Sequence, residues 1–570
     1  MKNKILMSRN CLEVQCDRND FETQSKLTSI FPIHVNRIKT KYQMSIHLVP
    51  EVLKLLRGIS VDNIDTAPQR VQEYFYKEMA IRDNVEDLIT NGPRNSCKVN
   101  DHLTLMRHQQ LGREIAKYQD RYAFFYDTRT GKTPLSLSIM YDDIMVHPDH
   151  KWLVVCPLIL IDNAWIPDAA EFIPEIKVVS CHASTPAKRL ERLATPASIY
   201  VTNTESFIKY REHFDKMGFE GCIIDESSDM KSPSSKVSKA LVDFAQTMNR
   251  FYLLSGTPAP NGEHEYYMQL QAIDYYGVQS SFTQFKEYYF VNLSFNSRYE
   301  KLAVRPDKRD ELLYLIRKYA LYVDKEDVLT TPGRTFHEVE FELPSELKPH
   351  YNKMKNDLYL ELEEGKRILA PSAAAKLNKL NQITSGFVID TQAVKENKFY
   401  DDEDPAPEWR LLDYYRFKML QDLLVSDSIR GEQVLIWANY RTEFELIQQA
   451  LGERCRCVYG GTTLAEKNDA IRLFKEGRIQ YLIANPASAD KGLTLTNAHI
   501  SIYFSLNWSY ELFKQSMERI YGDIRKQPKH CDYYVMIAKG TIDRILYSDV
   551  LQGKGDASYA VLNHLKGGNL

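Results

Sequence analysis

From Tyr122 onward, short β-branched or apolar runs alternate with longer stretches of helical periodicity: YAFFYD, WLVVCP, SIYVTN, GCIID and RFYLLSG. Runs that are apolar on both faces belong in parallel strands covered by helices on either side, so the alternation demands βαβ units. After an acidic, proline-bearing stretch from Asp401 to Glu408 the pattern resumes with VLIWAN, IQYLIAN, ISIYFSL and DYYVMIA. The expected fold is therefore α/β, with two parallel-sheet lobes. Helical patterns from about Glu263 to Lys325 and from Pro344 to Ile383 read as insertions, and the segment before Asn91-Gly92-Pro93 reads as a small N-terminal α/β domain. The expected division is 1–98 for that domain and 99–335 for the first lobe with a protrusion at 263–330. A helical protrusion and linker at 336–404 and the second lobe at 405–570 complete it.

A chain of 570 residues has room for three or four such domains. With 44% hydrophobic and 26% charged residues it has the composition of an ordinary globular protein rather than a disordered or fibrous one. The first residues, MKNKILMSRNCLEVQCD, contain no apolar run suited to a signal peptide, and no stretch reaches the ~18 apolar residues of a membrane span. A cytoplasmic protein of a bacterial or phage-infected cell is expected, or a nuclear one. The nine cysteines are scattered without CxxC spacing, which favours buried reduced thiols over zinc or redox work. A net charge of -3 means that any basic footprint for nucleic acid must be local.

Two motifs carry chemistry. Thr130-Gly131-Lys132-Thr133 lies between the strand-like YAFFYD and the helical PLSLSIM, the strand, loop and helix context of a phosphate-binding loop. Backbone N–H groups and a helix N-terminus would cradle phosphate there, Lys132 would reach the β and γ phosphates, and the Thr133 hydroxyl would ligate Mg²⁺. Tyr126 stands where the usual first glycine would be, and a surface turn is the competing interpretation. Asp225-Glu226 follows the apolar GCII, at the carboxyl end of a strand where α/β ligand sites form. Asp225 would hold Mg²⁺ and Glu226 would orient and deprotonate water, against the alternative of an acidic strand-end turn.

The ordered set of motifs resembles the Swi/Snf-like branch of helicase superfamily two, over roughly Leu103 to Leu546. LMRHQ, with Arg107 and Gln109, resembles the adenine-reading motif; DTRTGKT the phosphate loop; VVCPLILIDNAW and VTNTESF the next two motifs; DESSDMKSPSSKVSKAL the extended DExx box; LLSGTPAPN the coupling motif. SSFTQFKEYYF, LIRKYALYVDKEDVL and KLNKLNQITSG resemble the branch's helical insertions, which favour tracking on duplex over strand separation. The resemblance implies two RecA-like lobes that clamp Mg-ATP, with Gln109 on adenine, Lys132 on phosphate, and Ser255 and Thr257 as couplers. It also implies that Pro157, Trp165, Asn203 and Thr204 lie on or near the nucleic-acid track, although Trp165 is equally readable as a core tryptophan.

In the second lobe VLIWANYRTEFELI and NPASADKGLTLTNAHISIYFSLNWS resemble the fourth and fifth motifs, the latter placing Asp490 and Thr494 near a phosphate backbone. QSMERIYGDIRKQ resembles the sixth, in which Gln515 and Arg519 are four residues apart and would share a helix face. Gly522 occupies the place of the second arginine. A helix ending at that glycine would let Arg525 return as the arginine finger, with Arg519 or an arginine supplied by a partner as the alternatives.

Near the N-terminus RIKTKYQMSIHL alternates Ile38, Tyr42, Met44, Ile46 and Leu48 with Arg37, Lys39, Lys41, Gln43 and His47. Period two predicts one strand with a basic face that follows phosphates or is simply solvated. The layout is similar to UvsW-type phage recombination helicases and HARP-bearing annealing helicases. The expected function is a DNA-stimulated ATPase using ATP and Mg²⁺ on double-stranded or branched DNA, with RNA left open. A RapA-like protein-displacing motor is the alternative within enzymes, and a decayed nucleic-acid-binding scaffold the alternative outside them.

Overall fold

The computed structural model describes residues 4–548 apart from 8–10, 58–68, 294–301, 358, 362–366, 370–372, 390–408, 489–493, 508 and 526. It divides into two compact units, with the boundary between Val328 and Leu329.

The first unit begins with a four-stranded antiparallel sheet in the order β1-β2-β4-β3, made of β1 (Lys4–Met7), β2 (Cys11–Gln15), β3 (Asn36–Ile38) and β4 (Lys41–Ser45). Leu12, Val14, Tyr42 and Met44 from one face close over Leu27 of the helix Phe21–Ile30 in a small core. The 23-residue helix Gln69–Asn91 then spans about 35 Å. Its Val71 belongs to that small core, whereas Val85 and Leu88 belong to the core under the main sheet. One rigid helix thus fastens the small domain to the lobe.

The lobe is built on β5 (Arg121–Tyr126), β6 (Trp152–Cys156), β7 (Val178–Ser180), β8 (Ile199–Asn203), β9 (Gly221–Asp225) and β10 (Arg250–Leu254). A hairpin of β11 (Phe290–Asn292) and β12 (Leu302–Val304) stands apart, and β13 (Ala320–Val323) rejoins the sheet. The seven main strands run parallel in the order β13-β5-β10-β9-β6-β8-β7. Alternation along β5 sends Tyr122, Phe124 and Tyr126 into one core and Ala123 and Phe125 into the other, so both faces are covered, as the unbroken apolar runs require.

The second unit starts with β14 (Arg334–Phe341), which pairs in parallel with the last strand of its sheet. The expected placement of residues up to 335 in the first lobe and of 336 onward in a helical protrusion is corrected here. Two small antiparallel pairs follow, β15 (Tyr359–Glu361) with β16 (Arg367–Leu369) and β17 (Phe387–Ile389) with β18 (Trp409–Leu411). Then come β19 (Val434–Trp437), β20 (Cys455–Val458), β21 (Tyr481–Ala484), β22 (Ile500–Tyr503) and β23 (Cys531–Ala538). The sheet is parallel throughout, ordered β14-β23-β22-β19-β21-β20. All nine cysteines are free thiols, seven of them buried. No described helix is long and apolar enough to cross a membrane.

Candidate functional site

β10 pairs with β5 on one side and β9 on the other, with Leu254 level with both Phe124 and Asp225. The segments leaving these three strands therefore emerge side by side at the carboxyl edge. They are the loop 127–131, Ser255-Gly256-Thr257 and Asp225-Glu226. In an open parallel sheet this edge is where ligands bind.

The loop after β5 turns sharply, with Arg129 at φ 70° and Gly131 at φ 84°, and delivers Lys132 and Thr133 as the first residues of the helix Lys132–Val146. A left-handed arginine is strained, a condition that persists where a ligand site over-determines the backbone. Gly131 is forced twice over: its φ favours glycine, and a Cβ there would lie 1.9 Å from Gln109 Nε2. The Thr130 carbonyl accepts from Gln109 Nε2 at 2.9 Å and from His108 Nε2 at 2.7 Å. Burial pulls the His108 imidazole down despite that carbonyl, so it is a neutral donor. The Gln109 carbonyl end accepts from the Met106 N–H at 2.8 Å. Gln109 thus braces the phosphate loop, and one amide hydrogen remains for a ligand. Arg107, at the start of the helix Arg107–Ile115, is exposed.

Tyr126 does not obstruct the loop. Its ring is buried, its hydroxyl donates to the His108 carbonyl at 2.7 Å, and its own carbonyl accepts from Lys132 Nζ at 3.1 Å. A lysine lying across the loop on a backbone oxygen is placed where phosphate oxygens would replace that oxygen, so the loop fits a nucleotide phosphate. Thr130 is buried, its hydroxyl donating to the Asp127 carbonyl at 2.7 Å.

Asp225 ends β9, almost buried. Its Oδ2 accepts from the Trp165 indole N–H at 3.0 Å and its Oδ1 from the Glu226 N–H at 3.1 Å. Trp165 closes a π-helical turn, Ile161–Trp165, and is only 1% exposed. Of the two readings of Trp165, on or near the nucleic-acid track or in the core, this burial fits the core tryptophan. Sealed beneath the sheet edge, the indole holds the Asp225 carboxylate in place. Glu226 adopts φ 61°, left-handed and non-glycine, which re-aims its side chain out of the strand direction. Both acids fit the second half of a metal and nucleotide site, with Thr133 available on the neighbouring helix.

Ser255 and Thr257 are buried, and the Ser255 hydroxyl accepts from the Thr257 N–H at 3.1 Å. Gly256 lets this loop approach the phosphate loop: a Cβ there would stand 3.2 Å from Thr128 Oγ1 and 3.5 Å from the Tyr126 carbonyl oxygen. Farther along the same edge, Pro157 follows β6 and Asn203 ends β8. Asn203 Oδ1 is buried without a hydrogen-bond partner among the described residues. Thr204, partly exposed, opens the next helix.

In the second unit, Asp490 lies outside the described residues, and Thr494 is partly exposed just beyond them. The helix Tyr510–Met517 carries Gln515, whose amide donates to Glu511 at 3.3 Å. That helix stops before Arg519, so the expected shared face of Gln515 and Arg519 is not formed. Arg519 sits in the following turn, 3% exposed, its carbonyl accepting from the Leu495 N–H at 2.8 Å. Gly522 does not end the helix, which finishes five residues earlier, and it is not among the left-handed glycines. Arg525 lies on the loop that follows: its side chain is 71% exposed and forms a forked pair with Asp523, Nε lying 3.0 Å from each carboxylate oxygen.

The basic N-terminal segment is a hairpin and not one strand. Arg37 lies in β3, Lys39 occupies the turn at φ 59°, and Lys41 begins β4, where it faces Ile38 across the pair. Alternation survives only in β4, and Ile38 is exposed. Arg37 donates to the Lys39 carbonyl at 2.9 Å and to Gln24 at 3.2 Å, and Lys41 pairs with Glu13 at 3.3 Å.

Residues 30–386 match the model of the SNF2-related domain, and residues 415–521 match the helicase conserved C-terminal domain. Putative protein p41 of Acyrthosiphon pisum secondary endosymbiont phage 1 is 25% identical over 434 residues, 73% of this chain and 89% of that protein. The human DNA annealing helicase and endonuclease ZRANB3 is 23% identical over 507 residues, 85% of this chain and 44% of that protein. The transcription regulatory protein SNF2 of Saccharomyces cerevisiae is 24% identical over 412 residues, 68% of this chain but 24% of that protein. The chain thus spans most of the phage relative and less than half of the other two. Among solved structures, the Sulfolobus solfataricus SWI2/SNF2 ATPase core in complex with dsDNA aligns with 81% of this chain and 95% of that chain, at 19% identity and a TM-score of 0.36. With one family model covering well over half its length and a helicase C-terminal domain behind it, the chain belongs to the SNF2-related family of ATP-hydrolysing motors that act on DNA.

Proposed function

We propose that this motor translocates on double-stranded DNA and remodels branched DNA by fork regression, branch migration or annealing. The observation that carries the motor chemistry is the adjacency of β5, β10 and β9, which brings Lys132, the Ser255-Thr257 loop and Asp225-Glu226 to one sheet edge. Lys132 and the backbone of the phosphate loop would hold the phosphates, Gln109 and Arg107 would flank the base, and Thr133 with Asp225 would hold Mg²⁺. When bound, Mg²⁺ neutralises charge developing on the transferred phosphoryl group. Glu226 takes the proton of the attacking water, Gln515 contributes to nucleotide binding, and Arg525 or Arg519 supplies the positive charge that hydrolysis needs.

Pro157, Asn203, Thr204, Asp490 and Thr494 carry the phosphate backbone. Arg37, Lys39 and Lys41 on the docked N-terminal domain add a second contact, which supports selection of branched substrates. The name of the human relative, a DNA annealing helicase, supports the same reading. The decayed-scaffold alternative rests on Tyr126 and Gly522, and the accommodation of Tyr126 beside an intact Lys132 speaks against it. The test is ATP turnover on linear and forked duplexes of equal length at equal salt. Preferential stimulation by forks is expected; equal stimulation by both, with displacement of a bound protein block, would favour the RapA-like alternative.

A further inference from the structure

The helix Tyr266–Ile273 is apolar and buried apart from two glutamines, and the inner one has an unexplained set of bonds. Gln269 is 1% exposed. Its Oε1 accepts from the Ser227 hydroxyl at 2.8 Å, and its Nε2 donates to the Pro258 carbonyl at 2.7 Å. Ser227 directly follows Glu226, and Pro258 directly follows Thr257. One buried amide therefore ties the DExx box to the coupling loop. One turn earlier, Glu265 accepts from the Asn261 backbone N–H at 3.0 Å and from its side chain at 2.7 Å. The helix and the residue at its N-terminal boundary thus hold the coupling segment at two points, at 258 and at 261.

We infer that Gln269 is a positioning residue that keeps Glu226 aimed at water and links its aim to the state of the coupling loop; this rests on the reading of Glu226 as the general base. Glu226 holds a left-handed, non-glycine backbone at φ 61°, which needs its surroundings to enforce it. The residue that follows it is fixed by Gln269, at the start of the short helical turn Ser227–Met230. At its other end, Gln269 grips the loop whose Gly256 lies against the phosphate loop. A shift of the coupling loop as phosphate contacts change is thus passed through Pro258, Gln269 and Ser227 to the catalytic carboxylate. Such a route is established only by measured coupling between its members.

Gln269→Leu keeps the volume and deletes the bonds to Ser227 and Pro258 together with a longer one from Nε2 to the Glu265 carbonyl at 3.3 Å; Ser227→Ala deletes one; Gln269→Glu keeps the acceptor for Ser227 and removes the donor to Pro258 and Glu265. The parent's DNA-stimulated turnover and its loss in Glu226→Gln are read first, so that failure of the general-base assignment shows separately. Gln269→Leu and Ser227→Ala are then expected to lower kcat on saturating duplex about five- to tenfold, the size of one or two neutral hydrogen bonds, with the KM for ATP within about twofold. The double variant should fall no further than Gln269→Leu alone. Undiminished kcat in a normally melting Gln269→Leu overturns the inference. So do multiplicative losses in the double variant, or losses of kcat, KM and melting temperature that move in step. Should Gln269→Leu not fold, Ser227→Ala and Gln269→Glu decide alone: kcat losses at normal melting temperature uphold it, and parental kcat in both refutes it.

Discussion

Replacing Trp165 separates a role beneath the metal site from a role on the DNA track. Trp165→Phe keeps an aromatic ring in the buried slot and removes the N–H that reaches Asp225 Oδ2 at 3.0 Å. A hydrogen bond to a charged group contributes about 1.5–3 kcal/mol, so its loss corresponds to roughly 10- to 100-fold in a binding constant. The lower end applies here, because the Glu226 N–H still holds the other carboxylate oxygen. The Mg²⁺ concentration that supports half-maximal turnover should therefore rise about tenfold, while affinity for duplex DNA without nucleotide stays within about twofold. Titrating Mg²⁺ in an ATPase assay, beside a fluorescence-anisotropy titration of duplex, measures both. Weakened DNA binding with an unchanged Mg²⁺ requirement would refute the orienting role and restore the track assignment.

Three further outcomes follow from the geometry. Arg525→Ala should lower turnover by about 10³ or more with little change in ATP affinity if the exposed loop arginine is the finger. A nearly silent Arg525→Ala beside a dead but folded Arg519→Ala would transfer the role to Arg519. Replacing Arg37, Lys39 and Lys41 together by Ala should flatten the salt dependence of duplex binding by about 0.9 in slope for each phosphate that is no longer neutralised, with stimulated turnover at saturating DNA retained. An identical slope and affinity on linear and forked DNA would leave the hairpin a solvated surface. Glu78, buried between His47 at 2.8 Å and Arg82 at 3.2 Å, is pushed up by burial but pulled further down by the His47 hydrogen bond and by the charges of His47, Lys318 and Arg82. Its carboxyl lies at about 2, below the ordinary 4.5, so its ionised form stabilises the fold fully above pH 4.5 and loses that contribution as pH falls toward 2. The melting-temperature gap between the parent and Glu78→Gln should be widest near neutrality and close through that acidic window; a gap independent of pH would show that Glu78 acts by shape alone.

The strands that read plainly in the sequence are those buried on both faces. YAFFYD, WLVVCP, GCIID and VLIWAN have no polar interruption, and all form central strands. The strands that did not read plainly lie toward the edges. RTFHEVEF carries charges at alternate positions because β14 is half exposed, and ALYV is short and adjoins a helix. The N-terminal hairpin was illegible for a different reason. Its turn has Lys39 and Thr40 where glycine or asparagine would signal a reversal, and Lys39 accepts a left-handed φ without any such mark. The positions of Lys132, Asp225 and Glu226 at or just past strand ends were legible because such motifs carry their own context. Trp165 was not, since a tryptophan reads alike whether its indole faces DNA or a buried carboxylate. Nor was Gln269, whose trace is one of two amides in an otherwise apolar helix. The helix end at Met517 was also hidden, because no glycine or proline marks it.

The most direct measurement is steady-state ATP turnover, with and without duplex DNA, by the parent and by Lys132→Ala. Lys132 lies on the Tyr126 carbonyl, which nucleotide phosphate would displace, and no neighbouring cation takes its place in that helix turn. The parent should hydrolyse ATP and accelerate on duplex, and Lys132→Ala should lose the stimulated turnover while melting like the parent. A parent whose hydrolysis ignores DNA, or a folded Lys132→Ala that turns over at the parental rate, would contradict the assignment of this sheet edge as the motor's ATP site.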